Sequence, residues 1–273
     1  MRLGLDAGPH TLDLAVELGI RGVPISAEPL VNDGVAAVLA PLRSRRLEVC
    51  QVGAFGYNVL STATEQQARQ KAILMHAIPL AAETGCPYIV INGGNYHPSG
   101  FAAGDARNFT DAALDAVAAA LTPMVELAER HGVKLSIEPY LKTAIHSPER
   151  FLALKRKLPS GALRANVDPT SLYDYQDLWD PRGKVRHVCT ALAGHYGLGH
   201  IKEIALSDGF HIHAGLAPLG AGLTDWSEVL RLMAPHLPPD SWVILEHVQT
   251  PEEGRASVAR LRAAAATASV TLT

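Results

Sequence analysis

Cysteine is scarce in this chain, and the three that occur, Cys50, Cys86 and Cys189, are widely spaced, odd in number and without a CxxC pair. That excludes a disulfide framework and a thiolate zinc centre, and each thiol is expected to be a small core residue in a reducing compartment. A surplus of charge is also missing. With a formal net charge of −3, the molecule has no overall attraction for phosphate backbones, so neither nucleic acid nor a membrane is expected as a partner. The one basic cluster, Arg43, Arg45 and Arg46, reads as a solvated helix end. No segment offers about 18 consecutive apolar residues, the length a membrane-spanning helix needs. The opening MRLGLDAGPH sets Arg2 and Asp6 where a signal peptide would carry an apolar run, so the expected location is cytoplasmic. The first strand lacks GxGxxG, which weakens a dinucleotide-binding open sheet. LGAG at 219–222 is too short and misplaced for that motif and reads as a loop.

What is present is a rhythm. Eight β-rich runs, RLGLDA, GVPIS, LEVCQVGA, YIVINGG, KLSIEPY, LRANVDP, GHIKEIAL and WVILEH, alternate with longer helical segments. The helices carry start and stop signals: 64–85 leads into TGCPY, Asn108 to His131 ends at Gly132, and HSPERFLALKRK offers Ser147 as cap, Pro148 at the first position and Glu149 in the first turn. DWSEVLRLM and TPEEGRASVARLRAAAATA close the last two units. Unbroken strand–helix alternation calls for parallel strands with crossover helices. Eight units in 273 residues point to a single α/β domain over 1–273, a (β/α)₈ TIM barrel.

In such a barrel the chemistry gathers where strands end. LSIEPY ends an apolar run on Glu138, and a buried carboxylate needs a partner or it neutralises. The next strands deliver Asp168 in NVDPT, His200 in GHIKE and Glu246 in VILEH, at intervals of 30 (168 − 138), 32 (200 − 168) and 46 (246 − 200) residues. The long last interval leaves room for a loop over 205–224. Each residue alone reads as a salt-bridge, capping or interior hydrogen-bonding group. At one height on consecutive strands they read instead as a ligand set for one divalent ion, Mn²⁺ first and otherwise Mg²⁺, Co²⁺ or Zn²⁺. Such an ion would let Glu138 stay charged.

These motifs, with PLGAGLTDW after GHIKE and with QVGAFGYN, resemble the xylose-isomerase-like TIM barrels, the sugar phosphate isomerase/epimerase superfamily of the ketose 3-epimerases, inosose dehydratase and hydroxypyruvate isomerase. The resemblance runs over nearly the whole chain and implies that Glu138, Asp168, His200 and Glu246 are the metal ligands. Two positions depart from the pattern. Ser171 stands where many members carry a His, and Glu203 stands where Asp is usual.

The activity expected is metal-dependent isomerisation or epimerisation of a small sugar or polyhydroxy ketone through a metal-held cis-enediolate, with Glu138 and Glu246 as the two bases. Lys202 shares strand parity with His200, and its ammonium could neutralise oxyanion charge or form a structural salt bridge. Expected substrate contacts are Asn58, Asn92, His97, His146, His211 and His213, with Asn95 on the same rim. His247 is expected to point outward. Polyol dehydration and C-glycoside cleavage use the same metal and base and stay open, as does a non-catalytic sugar-binding or partner subunit. Apurinic endonuclease chemistry is opposed by Ser171 and by the net charge of −3. No Arg pair marks a phosphate site, so an unphosphorylated substrate is preferred. Whether the chain forms a homo-oligomer is left open.

Overall fold

The computed structural model describes residues 1–61, 64–100 and 103–273. Its centre is a ring of eight strands: β1 (Arg2–Leu5), β2 (Gly22–Ser26), β3 (Glu48–Gly53), β4 (Tyr88–Asn92), β5 (Lys134–Glu138), β6 (Leu163–Val167), β7 (Tyr196–Ile201) and, after a hairpin, β10 (Trp242–Leu245). The order around the ring is β1-β10-β7-β6-β5-β4-β3-β2, and every pairing in it is parallel. This is the closed barrel the alternation predicts. Runs such as YIVIN are buried at every position, because parallel strands are covered on both faces.

Helices α1 (Thr11–Leu18), α2 (Ala27–Asp33), α3 (Val35–Arg43), α4 (Thr64–Glu83), α5 (Asp111–His131), α6 (Pro148–Lys157), α7 (Arg182–Ala191), α8 (Trp226–Met233) and α9 (Pro251–Thr267) make the crossovers. The caps are those the sequence announces. The Ser147 hydroxyl accepts from Arg150 N at 3.2 Å to open α6, and Gly132 closes α5 in the left-handed region at φ 68°, where a side chain would be strained. Among the described residues no helix is long and apolar enough to cross a membrane.

Two expectations change in the second half. GHIKEIAL is not one strand: β7 stops at Ile201, and after Lys202 a new strand β8 (Glu203–Ser207) pairs antiparallel with β9 (His213–Ala217). The segment read as a loop over 205–224 therefore holds most of a β-hairpin outside the ring. Its tip is exposed, Phe210 at 97%. Sequence pattern could not divide the run, because the apolar residues continue across the break.

Candidate metal centre

Ring order sets the four candidate ligands side by side. Glu138 ends β5, Asp168 follows β6, His200 lies on β7 and Glu246 follows β10, four contiguous strands. One ligand atom from each can be chosen so that all four lie within 4.8 Å of one another. Asp168 and His200 are buried, and the two glutamates are nearly so.

The carboxylates are held by residues at and just after the ends of β6 and β7. Asp168 Oδ1 accepts from Thr170 N (2.9 Å), Thr170 Oγ1 (2.7 Å) and Ser171 N (3.3 Å), which leaves Oδ2 for the centre. Ser171 Oγ donates to Glu138 Oε1 at 2.8 Å, and Asn166 Nδ2 to Glu138 Oε2 at 3.2 Å. Ser171 thus anchors a carboxylate. Lys202 reaches the same group. Its ammonium donates to Asp168 Oδ2, to Glu246 Oε1 at 2.7 Å and to Glu138 Oε1 at 3.1 Å.

The charges decide the protonation states. Burial alone would push the Glu138 carboxyl up, but the Lys202 ammonium and His200 overcome it and hold it at about 2. Burial is overcome at Glu246 in the same way, with His200 and Lys202 keeping its carboxyl well below the ordinary range. Burial and the neighbouring carboxylates push Asp168 up against the pull of Lys202. His200, whose charged form burial disfavours, is raised to about 10 by Glu246 and Glu138.

A divalent cation fits this donor set. With His200 neutral, as a ligand must be, three carboxylates and one ammonium leave two negative charges, the complement of a divalent ion. His200 Nδ1 is buried and without a hydrogen-bond partner although Glu246 Oε2 lies 3.0 Å and Glu138 Oε2 3.2 Å away. Once His200 gives up the proton that these carboxylates favour, its Nδ1 lone pair faces the space they share, where an ion can take the place of that proton.

The other candidate residues are placed differently. Asn58 and Asn92 border a cleft of about 350 Å³, which Phe55 and Gln66 also line. Their amides hold backbone: Asn58 Nδ2 donates to Asn95 O at 2.8 Å, while Asn92 Nδ2 donates to Phe55 O and Tyr57 O. His97 Nδ1 accepts from Ser99 N at 3.1 Å. The ring of His146 packs edge-on against Phe109, 5.0 Å between centroids. His211 and His213 are exposed on the hairpin, His213 beside Ser207 Oγ at 3.2 Å. None of these six joins the acidic centre by a hydrogen bond among the described residues. His247 is exposed, as expected, yet it also touches the centre. A positive φ of 60° turns the chain, and its Nε2 comes 3.3 Å from Glu246 Oε1.

Two roles escaped the sequence: that of Gln51 on β3, and that of Glu203, noted there only as a departure from the pattern. Glu203, which replaces the usual Asp, is the hub of the PLGAGLTDW segment: Oε2 accepts from Trp226 Nε1 at 2.9 Å and Gly220 N at 3.2 Å. A Cβ at Gly222 would collide with the Glu203 carboxylate and with Ile204 O, so only glycine lets the segment fold over it. Glu203→Ala strips the buried Trp226 Nε1 and the half-buried Gly220 N of their acceptor, and a loss of about 1–3 kcal/mol is expected. A urea transition at the wild-type midpoint would contradict it.

Comparison with known proteins agrees with this architecture. A magnesium complex of a xylose isomerase-like TIM barrel protein from Mycobacterium smegmatis superposes with a TM-score of 0.71 at 17% identity, covering 93% of this chain and 88% of that one. The 3-keto-D-glucoside 4-epimerase of E. coli gives 0.72 at 17% identity over 96% and 99% of the two chains. A probable 3-DHS dehydratase of petrobactin synthesis from Bacillus anthracis gives 0.68 at 16% over 96% and 98%. Such identities establish the fold alone. Among curated proteins no sequence match was found. A family profile described as xylose isomerase-like TIM barrel matches residues 12–264, and the chain belongs to that family.

Proposed function

We propose that the protein is a divalent-cation-dependent isomerase or epimerase of a small, unphosphorylated sugar or polyhydroxy ketone. The observation that carries the reading is the convergence of Glu138 and Glu246 within 3.2 Å of His200 Nδ1, with Lys202 bridging both. Glu138, Asp168, His200 and Glu246 would hold the ion, Mn²⁺ by preference. When bound, it supplies Lewis acidity that acidifies a C–H next to a carbonyl.

The chain's own groups do the rest. Both glutamates are ionised at neutral pH, the form in which a base must begin. One takes the substrate proton; the other, after taking up a proton from solvent, delivers it to the opposite face for epimerisation, whereas in isomerisation the first carboxyl hands its own proton to the neighbouring carbon. Lys202 moves its ammonium between carboxylate and substrate oxyanion, where positive charge is needed. Asn58 and Asn92 shape the cleft that receives the polyol. His97, His146, His211 and His213, on the segments that follow β4, β5 and β7, would contact it from the rim.

Dehydration is the second reading, because abstraction of the same proton followed by loss of a β-hydroxyl needs no further group. The fold likeness to the 3-DHS dehydratase favours including it.

Incubating ketoses, aldoses and keto-glycosides with Mn²⁺-loaded protein in deuterium oxide tests the common step. Solvent deuterium is expected at the carbon beside the carbonyl of the true substrate. A cation-loaded protein that introduces none into any of them overturns the reading.

A further inference from the structure

His200 is held from the far side of the barrel. In ring order β3 stands four places from β7, diametrically opposite, and Gln51 on β3 reaches across the interior so that its Oε1 lies 2.8 Å from His200 Nε2. Gln51 is 3% exposed and His200 fully buried, so no water competes for either group. The backbone is built for this contact. Between β2 and β3 the register slips, Val23 opposite Val49 but Pro24 opposite Gln51, so Cys50 is an extra residue. A bulge of this kind re-aims the side chain beside it.

An amide oxygen accepts and never donates, so the proton of that hydrogen bond belongs to His200. We propose that Gln51 is a positioning residue: it keeps a proton on His200 Nε2, so that Nδ1 turns its lone pair to a cation shared with Glu138, Asp168 and Glu246. Were the amide reversed, its NH₂ would donate to Nε2, place the proton on Nδ1 and close the nitrogen that faces the carboxylates. Glutamine is suited to the task because it orients the ring without adding a fourth negative charge to three carboxylates. Partners of this kind commonly change metal affinity by about 10- to 100-fold when removed.

The first half of the inference stands on the hydrogen bond alone, and the second rests on the proposed metal function. ¹⁵N-edited NMR of the metal-free wild type is expected to show a protected, downfield proton on His200 Nε2 at neutral pH. Gln51→Met should lose that signal and bind Mn²⁺ about 10- to 100-fold more weakly by calorimetry, while Gln51→Glu, which keeps an acceptor, restores both. A bare Nε2 with protonated Nδ1 in the wild type overturns the inference, and so does unchanged Mn²⁺ affinity in a folded Gln51→Met. If the methionine variant does not fold, the wild-type spectrum and the glutamate variant still decide. Failure of the wild type to bind Mn²⁺ counts instead against the metal function, and the spectrum of the metal-free protein continues to read the hydrogen bond from His200 Nε2 to Gln51 Oε1.

Discussion

Turnover is expected to fall by about 10²- to 10⁴-fold when Glu246 is replaced by glutamine, and by at least as much for Glu138→Gln. Glutamine keeps the shape of each side chain and removes its ability to accept a proton. The two variants should differ in a second respect. Glu138 carries hydrogen bonds from Ser171 and Asn166 as well as from Lys202, so its carboxylate is fixed in place. Weaker cation binding is expected on its loss. Glu246 accepts from Lys202 and faces His247, and a variant there should retain more affinity. In a two-base scheme, Glu246→Gln can still exchange the substrate proton on the face that Glu138 serves, so deuterium entry without epimerisation is a predicted signature. Wild-type turnover in either variant removes the two-base scheme.

Lys202→Met should make folding depend on metal. The ammonium donates to all three carboxylates of the centre. Without it, buried acids face one another with only His200 between them. Removing one partner of a buried ionic cluster costs about 3–5 kcal/mol. That loss is expected in EDTA and should shrink when Mn²⁺ is added, because the ion supplies the missing charge. Acid should act oppositely on the two metal-free proteins. In the wild type Glu138 has its folded value depressed to about 2, so its contribution is present above the unfolded value near 4.3 and is lost as pH falls towards 2. In the variant the carboxylates lose their counter-charge and their values rise. Protonation then relieves repulsion, and stability should increase as pH drops from 7 to 5. Equal melting temperatures for the two proteins in EDTA would show that Lys202 does not balance the cluster.

Much of this was legible in the sequence for identifiable physical reasons. Parallel strands buried on both faces are continuous apolar runs, and caps are local, so the ring and the starts of α6 and α9 could be read without coordinates. The acids ending β5, β6 and β10 stood out because charge at the end of an apolar run is costly. The inward face of Lys202 followed from strand parity. Contacts that cross the barrel were not legible. Gln51 and His200 are 149 residues apart, and only closure of the ring and the bulge at Cys50 bring them together. The hairpin was hidden because nothing in IKEIAL marks a stop. Asn58 and Asn92 show the opposite limit: the sequence marked them as polar and near the mouth, but not that their amides hold neighbouring backbone.

The contiguity of β5, β6, β7 and β10 divides the mouth into two unlike halves. The acidic centre is confined to one arc, while β1, β2, β3 and β4 form the other. Selection can therefore lengthen, shorten or recolour the loops that follow these four strands and alter which molecule is admitted, with the reactive arc left intact. A lineage built on this plan can change its diet without reinventing its chemistry.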